Sequence, residues 1–264
     1  MVGARVFGFA RRLRLRCVSC VLTLLLVAPA WAAETLATAP EVGSTVLIKE
    51  KVTGKLGTEV RLLKTGFRVH RNELLQTGPQ AQAEVKLDDN TKLALGPDAE
   101  LLLDEYAVAS GSDTKSISLK FLKGTFRFLT GSNSSESYKI ETPSATIGVR
   151  GTVFDVYIGP DGDTFVLLHK GEVEVCSQAR TCRPHRQIGR VVRATLPGIV
   201  SEPMQWTPAL VPGIGVAQAF PFVGKRLVID PVKRLTPGAL LDGGKIFKGG
   251  GKGIDIPVKK LLPF

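Results

Sequence analysis

Between Ser44 and Leu196 apolar residues recur at every second position in short runs, and no stretch keeps a helical period over three turns. Side chains alternate across a strand, so this pattern buries one face of a sheet and cannot build a helical bundle. Strands are expected at 45–48, 58–63, 83–87, 91–95, 100–106, 116–121, 125–128, 138–142, 145–158, 163–169, 171–176 and near 187–195. Between them, Gly54 to Gly57, Asp88-Asp89-Asn90, Gly96-Pro97-Asp98, Lys123-Gly124 and Gly159-Pro160-Asp161-Gly162 carry turn chemistry. The fold class that follows is all-β: an antiparallel β-sandwich or roll, or a short solenoid. Gly-Thr opens a strand at Gly57-Thr58, Gly124-Thr125 and Gly151-Thr152; the unequal intervals indicate shared turn chemistry and no repeat array.

The passage Glu141–Ile158, ETPSATIGVRGTVFDVYI, is the most distinctive. Val153, Asp155 and Tyr157 fall on one face of a strand, Phe154, Val156 and Ile158 on the other. Gly148 and Gly151 flank Arg150, which places it on a bulge or corner. Arg150 and Asp155 then have two readings. They form an exposed polar pair on a recognition surface, or they hold the bulge by satisfying freed carbonyls, which is the favoured reading.

Both ends differ from the middle. The chain carries a formal net charge of +11. Five arginines and no acid precede Glu34, while residues 197–264 hold nine Lys/Arg against four Asp/Glu, so the ends supply +10 and residues 34–196 only +1. Nucleic-acid binders place basic residues on the folded surface among stacking aromatics, so no nucleic-acid partner is expected. The arginines followed by an apolar run from Val18 to Ala28 and then Ala30-Trp31-Ala32 read as an export signal cut between Ala32 and Ala33. The run is short of the roughly 20 apolar residues that span a bilayer. The expected location is therefore the periplasm or another exported compartment, the alternative being an inner-membrane anchor formed by an uncleaved N-terminus. Residues 33–43 read as a flexible lead-in and 44–196 as the β domain. Nine Pro and eleven Gly in 197–264 predict a basic, irregular and mostly disordered tail; the alternative is that its apolar clusters, such as Phe220-Pro221-Phe222-Val223, dock on an envelope partner or on the domain itself.

Cys17 and Cys20 lie in the leader, which leaves Cys176 and Cys182, five residues between them. In an exported protein they are expected to form a disulfide across a hairpin tip; a metal site using His185 or His169 would lack a second ligand pair. His70, His169 and His185 stand apart from any catalytic motif, with His169 read as a rim residue at a strand end. Asp88-Asp89 and Asp161/Asp163 sit in turns, and Asp161-Gly162-Asp163 lacks the other oxygen ligands of a calcium loop. Neither catalysis nor a cofactor is expected.

Three passages together resemble the FecR domain family. The first is Asn72 to Leu95, where a Thr77-Gly78-Pro79 turn leads into an alternating hairpin. The second is Gly96-Pro97-Asp98-Ala99-Glu100-Leu101 with Leu122-Lys123-Gly124-Thr125-Phe126 further on. The third is Thr142-Pro143 followed by Gly148, Arg150, Gly151, Thr152 and Asp155. The resemblance implies an exported or membrane-anchored non-catalytic module without cofactor. Its best understood members relay a signal from an outer-membrane receptor to a sigma factor through a cytoplasmic domain. Only residues 1–17 precede the apolar run here, so the expectation is an envelope protein partner and no direct grip on a sigma factor. The alternative is a structural envelope protein whose basic tail meets an acidic wall polymer, peptidoglycan or surface polysaccharide.

Overall fold

The computed structural model describes residues 39–107, 116–132 and 138–241. The leader and its expected cut at Ala32 and Ala33 lie outside the described residues, as does the chain beyond Leu241. Contacts divide the chain between Ala37 and Thr38, and the second unit carries all the described structure.

Fourteen strands form one continuous sheet, as the all-β expectation required. They are β1 (Glu41–Lys49), β2 (Val52–Leu56), β3 (Glu59–Leu62), β4 (Arg68–His70), β5 (Glu73–Thr77), β6 (Gln82–Leu87) and β7 (Lys92–Leu95). β8 (Glu100–Ala107), β9 (Ser116–Leu129), β10 (Tyr138–Glu141), β11 (Ala145–Ile158), β12 (Thr164–Ser177), β13 (Cys182–His185) and β14 (Val191–Ala194) follow. β1 starts inside the expected lead-in. β2 runs through Gly54, where a turn was expected, because the missing side chain leaves room for the Glu73 carboxylate; a Cβ there would sit 1.9 Å from Glu73 Oε1.

The sheet folds over itself at glycines. β9 pairs with β8 and β10 before Gly124, then with β7 and β11 after it. β11 changes partner from β10 to β9 across the bulge at Arg150–Val153, and β12 passes from β14 to β13 across Gly171. The turn expected at Lys123-Gly124 and the strand break expected between 169 and 171 are therefore corners within single strands. Each long strand serves both layers, and Phe121, Phe126, Phe128, Phe154, Ile147 and Val173 fill the core between them.

Gly124 has φ +88°, and a Cβ there would lie 2.6 Å from Ala99 Cα. Gly124→Ala is expected to destabilise by about 3 kcal/mol, left-handed strain adding to a backbone clash. At Gly151, φ is +57° and nothing lies within 4 Å of an added Cβ. Gly151→Ala is expected to cost only about 1 kcal/mol. Urea denaturation of both variants checks this; equal losses would mean that the Gly124 corner yields.

The larger correction concerns the tail. Residues 197–241 are irregular, with only two short helices, α1 (Val216–Ala219) and α2 (Pro237–Leu241). They are nonetheless packed as a third layer on the outward face of β9, β11 and β12. Trp206, Val211, Val216, Ala219 and Phe220 meet Tyr157, Phe165 and Leu167. Phe222, Leu227 and Ile229 meet Ala94, Leu129 and Val153. Trp206 stands edge-on to Tyr157, Phe165 and Phe220. High Pro and Gly content prevents regular hydrogen bonding in a segment; it does not prevent burial of the aromatic residues that the segment carries.

Candidate functional site

Strand alternation sends Phe126 and Phe128 into the core and Arg127 to the opposite face; on β11 it does the same with Asp155. Register sets Asp155 directly opposite Arg127. The pair is bidentate: Arg127 Nε donates to Asp155 Oδ1 at 2.6 Å and Nη2 to Oδ2 at 2.8 Å. His169 of β12 completes the group, its Nε2 2.9 Å from Asp155 Oδ2 and 3.0 Å from Arg127 Nη2. From the third layer Asp230 brings Oδ2 to 3.7 Å from Arg127 Nη1, and it accepts two hydrogen bonds from Arg234 at 2.7 and 3.0 Å. The Phe222 ring lies 5.8 Å from the Arg127 guanidinium carbon, at cation–π distance.

Burial alone would push the Asp155 carboxyl up. The Arg127 and His169 charges and their hydrogen bonds outweigh it and hold the group down at about 2. Arg127 is likewise opposed by burial, and Asp155 with Asp230 raises it above its ordinary value.

A histidine beside a buried aspartate can serve acid–base chemistry only where substrate reaches it. The side chains of Arg127, Asp155 and His169 are each 0% exposed. The arrangement is a clasp between the sheet and the third layer. A second clasp lies beside it, where Ile229 N donates to Glu84 Oε2 at 2.9 Å across 145 residues of chain.

These contacts correct two expectations. His169 is buried and not a rim residue. Asp155 is fully buried against Arg127 and His169, so it is no part of an exposed polar pair; the side chain of Arg150 lies outside the described residues. The backbone at Arg150 does lie at a bulge, with Gly151 in the left-handed region. Nothing in local sequence links Asp155 to Arg127, but an Arg and an Asp on strand faces opposite a Pro-rich segment containing Phe220, Phe222, Leu227 and Ile229 is the signal that both faces are covered.

The other singled-out residues are turn fittings. Thr142 Oγ1 and the Ala145 backbone exchange two hydrogen bonds, Thr164 Oγ1 donates to Thr142 Oγ1 at 2.7 Å, and half-buried Pro143 completes the corner between β10 and β11. Thr152 N donates to Thr130 Oγ1 at 2.8 Å. Thr77 Oγ1 donates to the Gly96 carbonyl and accepts from Ala99 N, so the Thr-Gly-Pro and Gly-Pro-Asp passages form one unit. Gly148 pairs with Lys139 and Glu174, and an added Cβ would meet only ordinary contacts.

Cys176 and Cys182 are bonded, opposite each other on β12 and β13, as expected. Both sulfurs are consumed, which removes them as metal ligands. The loop is short, so replacing both by serine is expected to cost only about 2 kcal/mol. Thermal unfolding of the double variant measures it; loss of the cooperative transition would show that the β12–β13 edge depends on the bond.

On the opposite margin, β3 pairs with β2 alone among the described residues and turns Val60 and Leu62 outward, 59% and 54% exposed. Its Arg61 reaches inward to the fully buried Glu73 at 2.8 Å.

No curated protein matches the chain significantly in sequence. Two crystal structures of a candidate anti-sigma factor from Parabacteroides distasonis ATCC 8503, at 1.65 and 2.50 Å, share 18% identity with it at a TM-score of 0.39. The alignment covers 50% of this chain and 59% of theirs. Residues 73–174 match the model of the FecR protein family, a stretch that runs from β5 into the second half of β12, through every strand that turns a corner.

Proposed function

We propose that this chain is a non-catalytic, extracytoplasmic FecR module that binds another envelope protein and takes part in signalling or sensing. The observation that carries the reading is the FecR match over residues 73–174. Two features support it. The histidine–aspartate group that resembles catalytic machinery is sealed from solvent. The free edge of β3 offers unpaired strand hydrogen bonds beside two exposed apolar side chains, which suits an extended segment of a partner.

Export rests on the leader sequence and is supported by the disulfide, a bond that persists in oxidising compartments. N-terminal sequencing of protein recovered outside the cytoplasm is expected to begin at Ala33.

The test is crosslinking in intact cells with the mature chain, followed by recovery and identification of the attached protein. A discrete envelope protein is expected, lost when Val60 and Leu62 are both replaced by lysine. Recovery of nothing above background would overturn the proposal. The wall-polymer alternative must now be tested by removing residues 242–264 only, because residues 197–241 belong to the folded body.

A further inference from the structure

The loop after Phe222 presents charge that the fold does not use. Gly224 N donates to the Arg234 carbonyl at 3.2 Å and Leu227 N to the Asp230 carbonyl at 3.0 Å, closing residues 224–234 into a compact loop. Leu227, Ile229 and Asp230 point inward. Lys225, Arg226, Val228, Val232 and Lys233 point outward, the valines 61% and 54% exposed.

The sheet beneath adds to this surface. Glu84, which accepts from Ile229 N, faces Ala94 across β6 and β7; one step along the same face Lys86 stands opposite Lys92. Lys92 in turn is paired with Leu129, which the loop covers. Lys225, Arg226, Lys233, Lys86 and Lys92 form no salt bridge with an acid among the described residues; the ion pairs there belong to other side chains. The loop's own acid, Asp230, is buried and held by Arg234 and Arg127.

Like charges without a salt bridge in the same loop as two exposed valines call for a partner that is negative and also accepts apolar side chains. A soluble polyanion would engage the cations and leave the valines in water. An anionic bilayer surface engages both, headgroup phosphates meeting the cations while short apolar side chains enter the interfacial zone. We propose that the 224–234 loop docks the protein on an anionic lipid surface, through Lys225, Arg226 and Lys233 with Lys86 and Lys92 at the rim, and through Val228 and Val232 at the centre.

Flotation of the chain beginning at Ala33 with vesicles of phosphatidylcholine, alone or mixed with phosphatidylglycerol, tests this. Binding is expected only with phosphatidylglycerol, and is expected to weaken as salt rises. Replacing Lys225, Arg226 and Lys233 by glutamine should weaken it about a hundredfold, each cation near an anionic leaflet counting about fivefold. Val228→Ser with Val232→Ser should weaken it about tenfold. All five positions are exposed, so melting temperatures should match wild type, and the lysines of residues 242–264 remain in every variant. Equal binding to neutral vesicles, or undiminished flotation of the loop variants, would overturn the proposal. So would retention by purified wall polymer that needs the cations and ignores the valines, which would make the loop a polyanion site.

Discussion

A chain ended after Leu196 is expected to lose its cooperative thermal transition and most of its soluble yield. The truncation strips the cover from Tyr157, Phe165, Leu167, Leu129 and Val153 and opens the Arg127–Asp155–His169 group to water. It also removes ten buried apolar residues between Trp206 and Leu240 from the body of the protein. Fully burying a large apolar side chain is worth about 1.5–3 kcal/mol, so even half credit for these residues is comparable to the 5–15 kcal/mol by which a domain is usually stable. A chain ended after Leu241 keeps every contact described here and is the matched control. Differential scanning calorimetry of the two truncations decides the matter: a shorter chain that melts like the longer one would mean that the β domain stands alone. Within the same layer, Trp206→Ala alone should cost about 3–5 kcal/mol.

Asp155→Asn is expected to destabilise the protein at neutral pH by about 3–5 kcal/mol, because it takes the bidentate counter-charge from the buried Arg127 cation and leaves only Asp230, at 3.7 Å and shared with Arg234. Replacing both Arg127 and Asp155 by apolar residues of similar volume should recover much of that loss, since neither charge then has to be desolvated. The pH dependence follows from the direction of the shift. The Asp155 carboxyl is held at about 2 in the folded protein, below its ordinary 3.8. The folded state therefore favours the ionised form. That contribution, about 2–3 kcal/mol, is complete above pH 4 and is lost as the pH falls toward 2. Urea midpoints measured between pH 7 and pH 2 should fall in that acid window for the wild type and change less for Asp155→Asn. Parallel curves would show that Asp155 is not the group that titrates.

Much of the fold was legible in the residues. The hairpin of β6 and β7 around Asp88-Asp89-Asn90 was readable because Asp89 serves its own turn, accepting from Thr91 N and Oγ1. The disulfide was readable because Cys176 and Cys182 flank a short turn that sets them opposite each other. The Gly-Thr pairs at 57, 124 and 151 share one backbone requirement, since all three glycines adopt positive φ. At Gly124 and Gly171, however, a glycine expected to open a new strand marks a bend within one. A local run of residues cannot distinguish these outcomes, because both need the same left-handed backbone, and only the pairing on either side separates a hairpin from a corner.

The sequence by itself therefore determined the element type, the turn chemistry and which side chains share a face, since these depend on a period of two residues and on the φ that each residue tolerates. Tertiary structure alone decided that the outward face is covered, that Asp155 meets Arg127 and His169, and that residues 197–241 belong to the folded body. Those outcomes rest on contacts between segments 28 to 145 residues apart. Alternation says which way a side chain points, and only the folded chain says what it meets there.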